Sequence, residues 1–166
     1  MFTIDVGSHA SLESTYQDLN TQLAALLSGE RDFICNAAQF SAFVMQTVGE
    51  LNWSGFYFAR GEELVLGPYV GKVACTRIPF GRGVCGKAAQ TRQVQRIDDV
   101  HAFDGHIACD AASAAELVLP VVVDGKLVAV FDMDSPKTGR FSDVDQAGIS
   151  AFVATFIDAT DMTWSI

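Results

Sequence analysis

The order of periodicities along the chain predicts an α+β fold. Helical spacing of apolar residues marks both ends, and strand-like runs fill the middle. Turn residues sit between those runs: Arg60-Gly61-Glu62 joins one pair and Asp124-Gly125 joins another, which reads as antiparallel hairpins. Helices gathered outside a mostly antiparallel sheet define the class. At 166 residues the chain fits a single domain over 1–166.

The elements follow in order. Residues 11–27 predict an amphipathic helix, with Leu12, Tyr16, Leu19, Leu23 and Leu27 on its apolar side. Asp32 is placed to cap a second helix running through residue 48, burying Phe33, Ala37, Phe40 and Val44. Residues 53–59 and 64–70 form the first hairpin, with Trp53 and Tyr57 on one face and Phe56 and Phe58 on the other. Gly81, Gly83 and Gly86 surround Cys85, and a short helix is expected over 84–90, then a short strand over 94–97. No periodicity survives from 98 to 113, which predicts a long loop carrying His101, His106 and Cys109; such loops are often functional. Runs at 117–123 and 127–132 make the second hairpin. Ser142 caps a last helix to about residue 159, with Ile149, Phe152, Val153 and Phe156 inward and Asp143 and Asp145 suiting its dipole.

Composition excludes several classes. Hydrophobic residues make up 49% of the chain, enough for a packed core of the kind in which roughly 70% of the unfolded surface is buried. Eleven basic against 20 acidic residues leave a net charge of −9, which repels a phosphate backbone and makes nucleic acid an unsuitable partner. The first 11 residues carry Asp5 and no lysine or arginine, unlike a secretory leader, and no apolar stretch approaches the ~18–20 residues of a membrane span. A soluble, cytoplasmic protein is expected. In that compartment the four cysteines are not read as a static disulfide framework.

Those cysteines are the main chemical signal. Cys35 sits mid-helix beside Phe33 and Ile34, where a buried structural thiol is expected. Cys75, Cys85 and Cys109 fall in glycine-rich or loop-like sequence, the exposed polar setting that reactive thiols prefer. The plainer alternative is three inert thiols. Zinc is a further rival, since His106 and Cys109 form H-x-x-C with His101 nearby. Zinc sites, however, are usually built from tight Cys pairs, whereas Cys75 and Cys85 stand ten residues apart, so thiol chemistry is favoured and no metal is expected. Acids complete the set: Asp110 follows Cys109, Glu116 opens a strand, and Asp132 and Asp134 share one face of the next. If that face lines a pocket, they can hold an ammonium group or deliver a proton; otherwise they are a solvated strand end. Asp132 stands out because it follows an apolar run, where burial of an acid is costly. Acids near Cys109 would raise its pKa, a tension that His106 or a cationic substrate group would relieve. Trp53 beside carboxylates could frame a small pocket for a methyl group and a cation.

These blocks resemble a known family. Asn52-Trp53-Ser54-Gly55-Phe56-Tyr57 is followed by Leu66-Gly67-Pro68-Tyr69 and by Gly71-Lys72 with Ala74-Cys75. The run from Arg77 to Gly86 comes next, then Asp99-Val100-His101-Ala102-Phe103 leading into Gly105-His106-Ile107-Ala108-Cys109-Asp110. Glu116 and Phe131-Asp132-Met133-Asp134-Ser135-Pro136 close the pattern. In this order they are similar to the free methionine-(R)-sulfoxide reductases, stand-alone GAF domains, over nearly the whole chain. Asp104, where a proline is common, is the one departure noted, and it is neutral.

The resemblance implies a sheet with terminal helices on one face and a ligand pocket on the other. It implies an oxidoreductase active against oxidative stress, homodimeric, with no bound cofactor and electrons drawn from thioredoxin. Cys109 falls at the catalytic position, Cys75 at that of the resolving thiol that forms a disulfide with it, and Cys85 at that of an alternative resolving or relay thiol. Glu116, Asp132 and Asp134 match acids that bind the substrate's polar groups and assist the sulfoxide oxygen. Trp53 and Tyr57 match the aromatic wall around its methyl-sulfur end. The competing functions are a non-catalytic GAF ligand sensor and a peroxide- or nitric oxide-sensing thiol protein. Turnover separates an enzyme from either.

Overall fold

The computed structural model describes residues 2–7, 10–102 and 112–162. Its first helix, α1, spans Leu12–Leu27, and Ser11 caps it in a reciprocal box with Ser14. Tyr16, Leu19, Leu23 and Leu27 turn inward as their spacing demands; Leu12, in the first turn, stays exposed. The second helix, α2, spans Phe33–Thr47, and Asp32 Oδ1 accepts the Cys35 N–H at 2.8 Å. A hairpin of β1 (Trp53–Arg60) and β2 (Glu63–Gly71) follows, then a three-residue strand β3 (Arg77–Pro79). Helix α3 (Gly83–Thr91) and strand β4 (Gln95–Ile97) lead to a 3-10 turn at Val100–Ala102. The second hairpin pairs β5 (Ala115–Val123) with β6 (Lys126–Ser135) around Asp124 and Gly125, both at positive φ, as a tight turn requires. Helix α4 (Asp143–Ala159) ends the described chain, capped by Ser142.

The six strands form one antiparallel sheet in the order β3-β2-β1-β6-β5-β4. The period of two along each strand sends alternate side chains to opposite faces. One face meets α2 and α4, with α1 packed on those helices, in a core where Phe40 packs edge-on against Phe56, Phe131 and Phe156 at centroid distances of 5.4, 4.7 and 5.4 Å. Each such pair adds about 0.5–1.5 kcal/mol beyond area burial. The other face carries α3, whose Val84, Cys85, Ala88 and Ala89 pack with Trp53, Tyr57, Val118 and Val130. The α+β class and the two-faced arrangement are as expected from the sequence.

Two local expectations are corrected, and one short strand is added. Cys35 is exposed, not buried, because the 100° step per residue that turns Phe33 inward carries Cys35 outward. Cys85 lies within α3 and is buried, not in an exposed polar loop. Strand β3, too short for a readable period, pairs with Glu63, Leu64 and Val65 at the sheet edge, where Ile78 is buried and Arg77 bridges Glu63.

Helices α1 and α4 meet at one close approach. Tyr16 hydroxyl donates to Asp145 Oδ1 at 2.8 Å, and Asp145 also takes the Ser142 N–H and the Arg140 guanidinium. The Tyr16 ring lies over Gly148, where an added Cβ would come within 2.2 Å of the ring. Alanine in place of a helical glycine ordinarily gains up to about 1 kcal/mol. Here the sign should reverse: Gly148→Ala should cost about 1–3 kcal/mol in urea or thermal unfolding. An unchanged or raised midpoint would show that the ring moves aside freely.

Candidate active site

Cross-strand register assembles the site. One row of partners runs Gly71, Trp53, Asp134, Glu116, Ile97 across β2, β1, β6, β5 and β4. The neighbouring row on the same face runs Tyr69, Gly55, Asp132, Val118, Gln95. Three acids from two strands therefore stand beside an indole from a third, opposite the face that packs on the helices. One pocket takes in Trp53, Tyr57, Cys85, Glu116, Asp132 and Asp134. Ala74, which precedes Cys75, and the start of α3 from Arg82 to Val84 contribute its other wall.

Glycines set the aromatic side. An added Cβ at Gly55 would lie 2.7 Å from Trp53 Cη2, and one at Gly71 would lie 2.5 Å from its Cδ1. The indole lies flat over backbone that has no side chains to lift it. It is stacked with Tyr57 (5.8 Å, 22°) and Tyr69 (5.2 Å, 15°), and its Nε1–H donates to the Lys72 carbonyl at 3.2 Å. This side of the pocket, beside the acids, is aromatic.

The polar side is buried. Glu116 and Asp132 are each 6% exposed and Cys85 is 4% exposed. The Cys85 thiol donates to Glu116 Oε1 at 3.8 Å, and the thiol sulfur and carboxyl oxygens of Cys85, Glu116 and Asp132 all lie within 4.8 Å of one another. Asp132 Oδ1 has no hydrogen-bond partner. Burial raises Asp132 to about 7, against hydrogen bonds with Cys85, Glu116 and the Met133 N–H that pull it down. Burial, then the charges of Asp132 and Asp134, push Glu116 well above the carboxylate range. Burial and the same acids push the Cys85 thiol up as well, and Tyr57 is raised in the same way. Burial and mutual repulsion therefore favour the protonated forms of these groups, which suits an acid that must protonate a departing oxygen.

The start of α3 lines the same pocket, beside the acids. Arg82 caps the helix without a side-chain hydrogen bond, and the first backbone bond runs from Gly86 N–H to the Arg82 carbonyl at 3.1 Å. The N–H groups of its first turn carry the positive end of the helix dipole, and Arg82 adds a charge. The pocket thus sets the start of α3 and the exposed Arg82 beside its acids. Neither Arg82 nor the two glycines under Trp53 was singled out for the site from sequence. The glycine signal existed in Asn52-Trp53-Ser54-Gly55, but its meaning requires the register.

The predicted substrate residues Trp53, Tyr57, Glu116, Asp132 and Asp134 come together here, along with Cys85. Asp132 and Asp134 are not a solvated strand end. Cys75 is disulfide-bonded, half-buried and packed beside this cluster, whereas Cys35 and Cys85 are free thiols. Cys109, His106 and Asp110 lie outside the described residues. Among the described residues, Cys85, Glu116 and Asp132 are the group whose ligating atoms converge as a metal would need. No helix among the described residues is long and apolar enough to cross a membrane.

Comparison with known proteins agrees with this geometry. The GAF domain family model matches residues 36–159. A free methionine-R-sulfoxide reductase of Escherichia coli is 52% identical over 139 residues, 84% of each chain. The X-ray structure of free methionine-R-sulfoxide reductase from Neisseria meningitidis in complex with its substrate superposes with a TM-score of 0.90 at 33% identity, over 96% of this chain and 95% of that one. The reduced form of fRMsr from Staphylococcus aureus gives 0.85 at 38% identity, over 95% and 99%.

The buried acids set a pH dependence. Asp132 keeps its proton to about 7 in the fold, against 3.8 for an ordinary aspartate. The folded chain binds the extra proton between those values, so this residue's contribution to stability is best at low pH and is lost as pH rises through 7. Asp132→Asn should therefore be more stable than the parent at pH 8, by on the order of 4 kcal/mol, with the gap closing toward pH 4. A gap independent of pH would show that the carboxyl is ionised in the fold.

Proposed function

The chain belongs to the free methionine-R-sulfoxide reductases, which are enzymes built on a single GAF domain, and we propose that it converts free L-methionine (R)-S-oxide to L-methionine through a cysteine cycle begun by Cys109. The observation that carries this reading is the convergence of Glu116, Asp132 and Asp134 with the Trp53 indole in one pocket beside the disulfide-bonded Cys75.

This pocket fits a free amino acid. The acids receive the ammonium, the α3 N-terminus with Arg82 receives the carboxylate, and the methyl-sulfur end lies on Trp53 and Tyr57. A methionine within a polypeptide has neither charge beside its own side chain, so selection for the free amino acid follows. The ammonium also offsets the acids that would otherwise hold the nucleophile as a neutral thiol.

The Cys109 thiolate attacks the sulfoxide sulfur. A proton held by Asp132 or Glu116 passes to the oxygen, and the hydroxyl then moves from the substrate sulfur to the Cys109 sulfur as the bond between the two sulfurs breaks, so that methionine leaves and Cys109 remains as sulfenic acid. The Cys75 thiol then displaces that hydroxyl as water and closes a disulfide. Support comes from Cys75 being disulfide-bonded while Cys35 and Cys85 are free. Burial and the acids keep Cys85 a neutral thiol, which favours Cys75 over Cys85 as the resolving group. Thioredoxin, at about −270 mV, is the donor in this reading, and it reopens the disulfide by exchange. The protein works without a bound cofactor, as a homodimer, in the reducing cytoplasm.

The test is methionine release from the free R and S epimers with thioredoxin, its reductase and NADPH. The parent should consume only the R epimer. Cys109→Ser should release nothing, and Cys75→Ser should release one equivalent and then stop. Glu116→Gln should lose roughly 10²-fold or more in turnover while keeping the fold. Release by Cys109→Ser would overturn the nucleophile, and steady cycling by Cys75→Ser would move the resolving role to Cys85. No release from either epimer by the parent would favour the ligand-sensing alternative.

A further inference from the structure

We propose that Cys85, Glu116 and Asp132 form a binding site for a thiophilic divalent cation of the zinc class, and that its occupation blocks the pocket and inhibits the enzyme. The three side chains come from α3, β5 and β6, elements fixed by the fold, and all three are buried. Their candidate ligand atoms already lie within 4.8 Å of one another, and Cys85 Sγ to Glu116 Oε1 is 3.8 Å. Zinc holds thiolate sulfur at about 2.3 Å and carboxylate oxygen at about 2.0–2.2 Å, so neighbouring ligands in a tetrahedron stand roughly 3.3–3.7 Å apart. Small side-chain rotations close the set to that spacing.

A second observation points to a cation. Asp132 Oδ1 is a buried carboxyl oxygen with no hydrogen-bond partner, in a residue 6% exposed that lines this pocket. Such an atom carries a desolvation cost that a cation would remove. The donor set then selects the ion. One thiolate with two carboxylates suits zinc and its softer relatives, whereas magnesium and calcium take oxygen ligands only. On binding, Cys85 releases its thiol proton to water, as does either carboxyl that is protonated, and nothing is oxidised or reduced. Three protein ligands leave a fourth position for water, facing the pocket.

Inhibition follows from shared residues. Glu116 and Asp132 cannot hold a metal ion and a substrate ammonium together. Because Cys85 is free while Cys75 is disulfide-bonded, the site is also complete in the oxidised chain. The inhibition clause rests on the reductase reading, but the binding clause does not.

The test is a titration with cobalt(II), as a spectroscopic stand-in for zinc, into oxidised protein carrying Cys35→Ser to remove the exposed thiol. One equivalent should bind and show thiolate-to-cobalt charge-transfer absorption, which added zinc abolishes. In this background Cys85→Ser should lose the band. Asp132→Asn should weaken binding at least tenfold while remaining folded by circular dichroism. In turnover assays zinc should raise KM for methionine sulfoxide with kcat unchanged, and a chelator should restore it. Absence of the band, or its persistence in Cys85→Ser, would overturn the site, whatever the enzyme's substrate proves to be. A fall in kcat at constant KM would overturn the shared-residue account of inhibition.

Discussion

Two carboxyl groups and a thiol buried against one face of a sheet are the constraint on which the rest of the molecule turns. Glu116, Asp132 and Cys85 gain nothing from leaving water, and the mutual proximity of the acids makes ionisation costly. They stay in place because the opposite face of the same strands is locked. Phe131 alternates with Asp132, Leu117 with Glu116, and Phe56 with Gly55 and Tyr57, so each strand that presents the site also drives a side chain into the helical core. The phenylalanine cluster under α2 and α4 supplies the stability that the chemical face lacks, a division that recurs where activity requires locally unfavourable groups.

The same proton-holding environment explains why several thiols can sit near one pocket without equal reactivity. Cys85 is inside α3 and faces the acids, so its proton is held firmly. Cys75 lies in the connection between β2 and β3, half-buried and outside any helix or strand. A sulfur there is less enclosed than one within a buried helix. Position in the fold, more than residue type, sets the surroundings of each of these cysteines.

Much of this was legible in the sequence because it is local. Asp32 and Ser142 announced their helices through a single side chain reaching its own backbone, the apolar spacing of residues 12–27 announced the first, and Asp124-Gly125 announced its turn. The acids of β6 were recognisable as a pair because alternation alone puts Asp132 and Asp134 on one face. What was hidden depends on neighbours distant in sequence. Cys35 looked buried because Phe33 and Ile34 beside it are apolar, and only the orientation of α2 on the sheet turns it outward. Gly55 and Gly71 became the floor under Trp53 only once β2 was in register with β1. Arg82 and the start of α3 became a wall only when that helix was laid across the strands carrying the acids.

The flat seating of Trp53 also makes the chain its own optical probe. The sequence holds two tryptophans, Trp53 and Trp164. With Trp164 replaced by phenylalanine, all indole emission would originate inside the pocket, from a ring stacked on Tyr57 and Tyr69 and close to groups that gain and lose protons. Arrival of a ligand, a change of charge or opening of a disulfide at that place would then register as a change in colour or intensity without any label, and each step could be followed in real time.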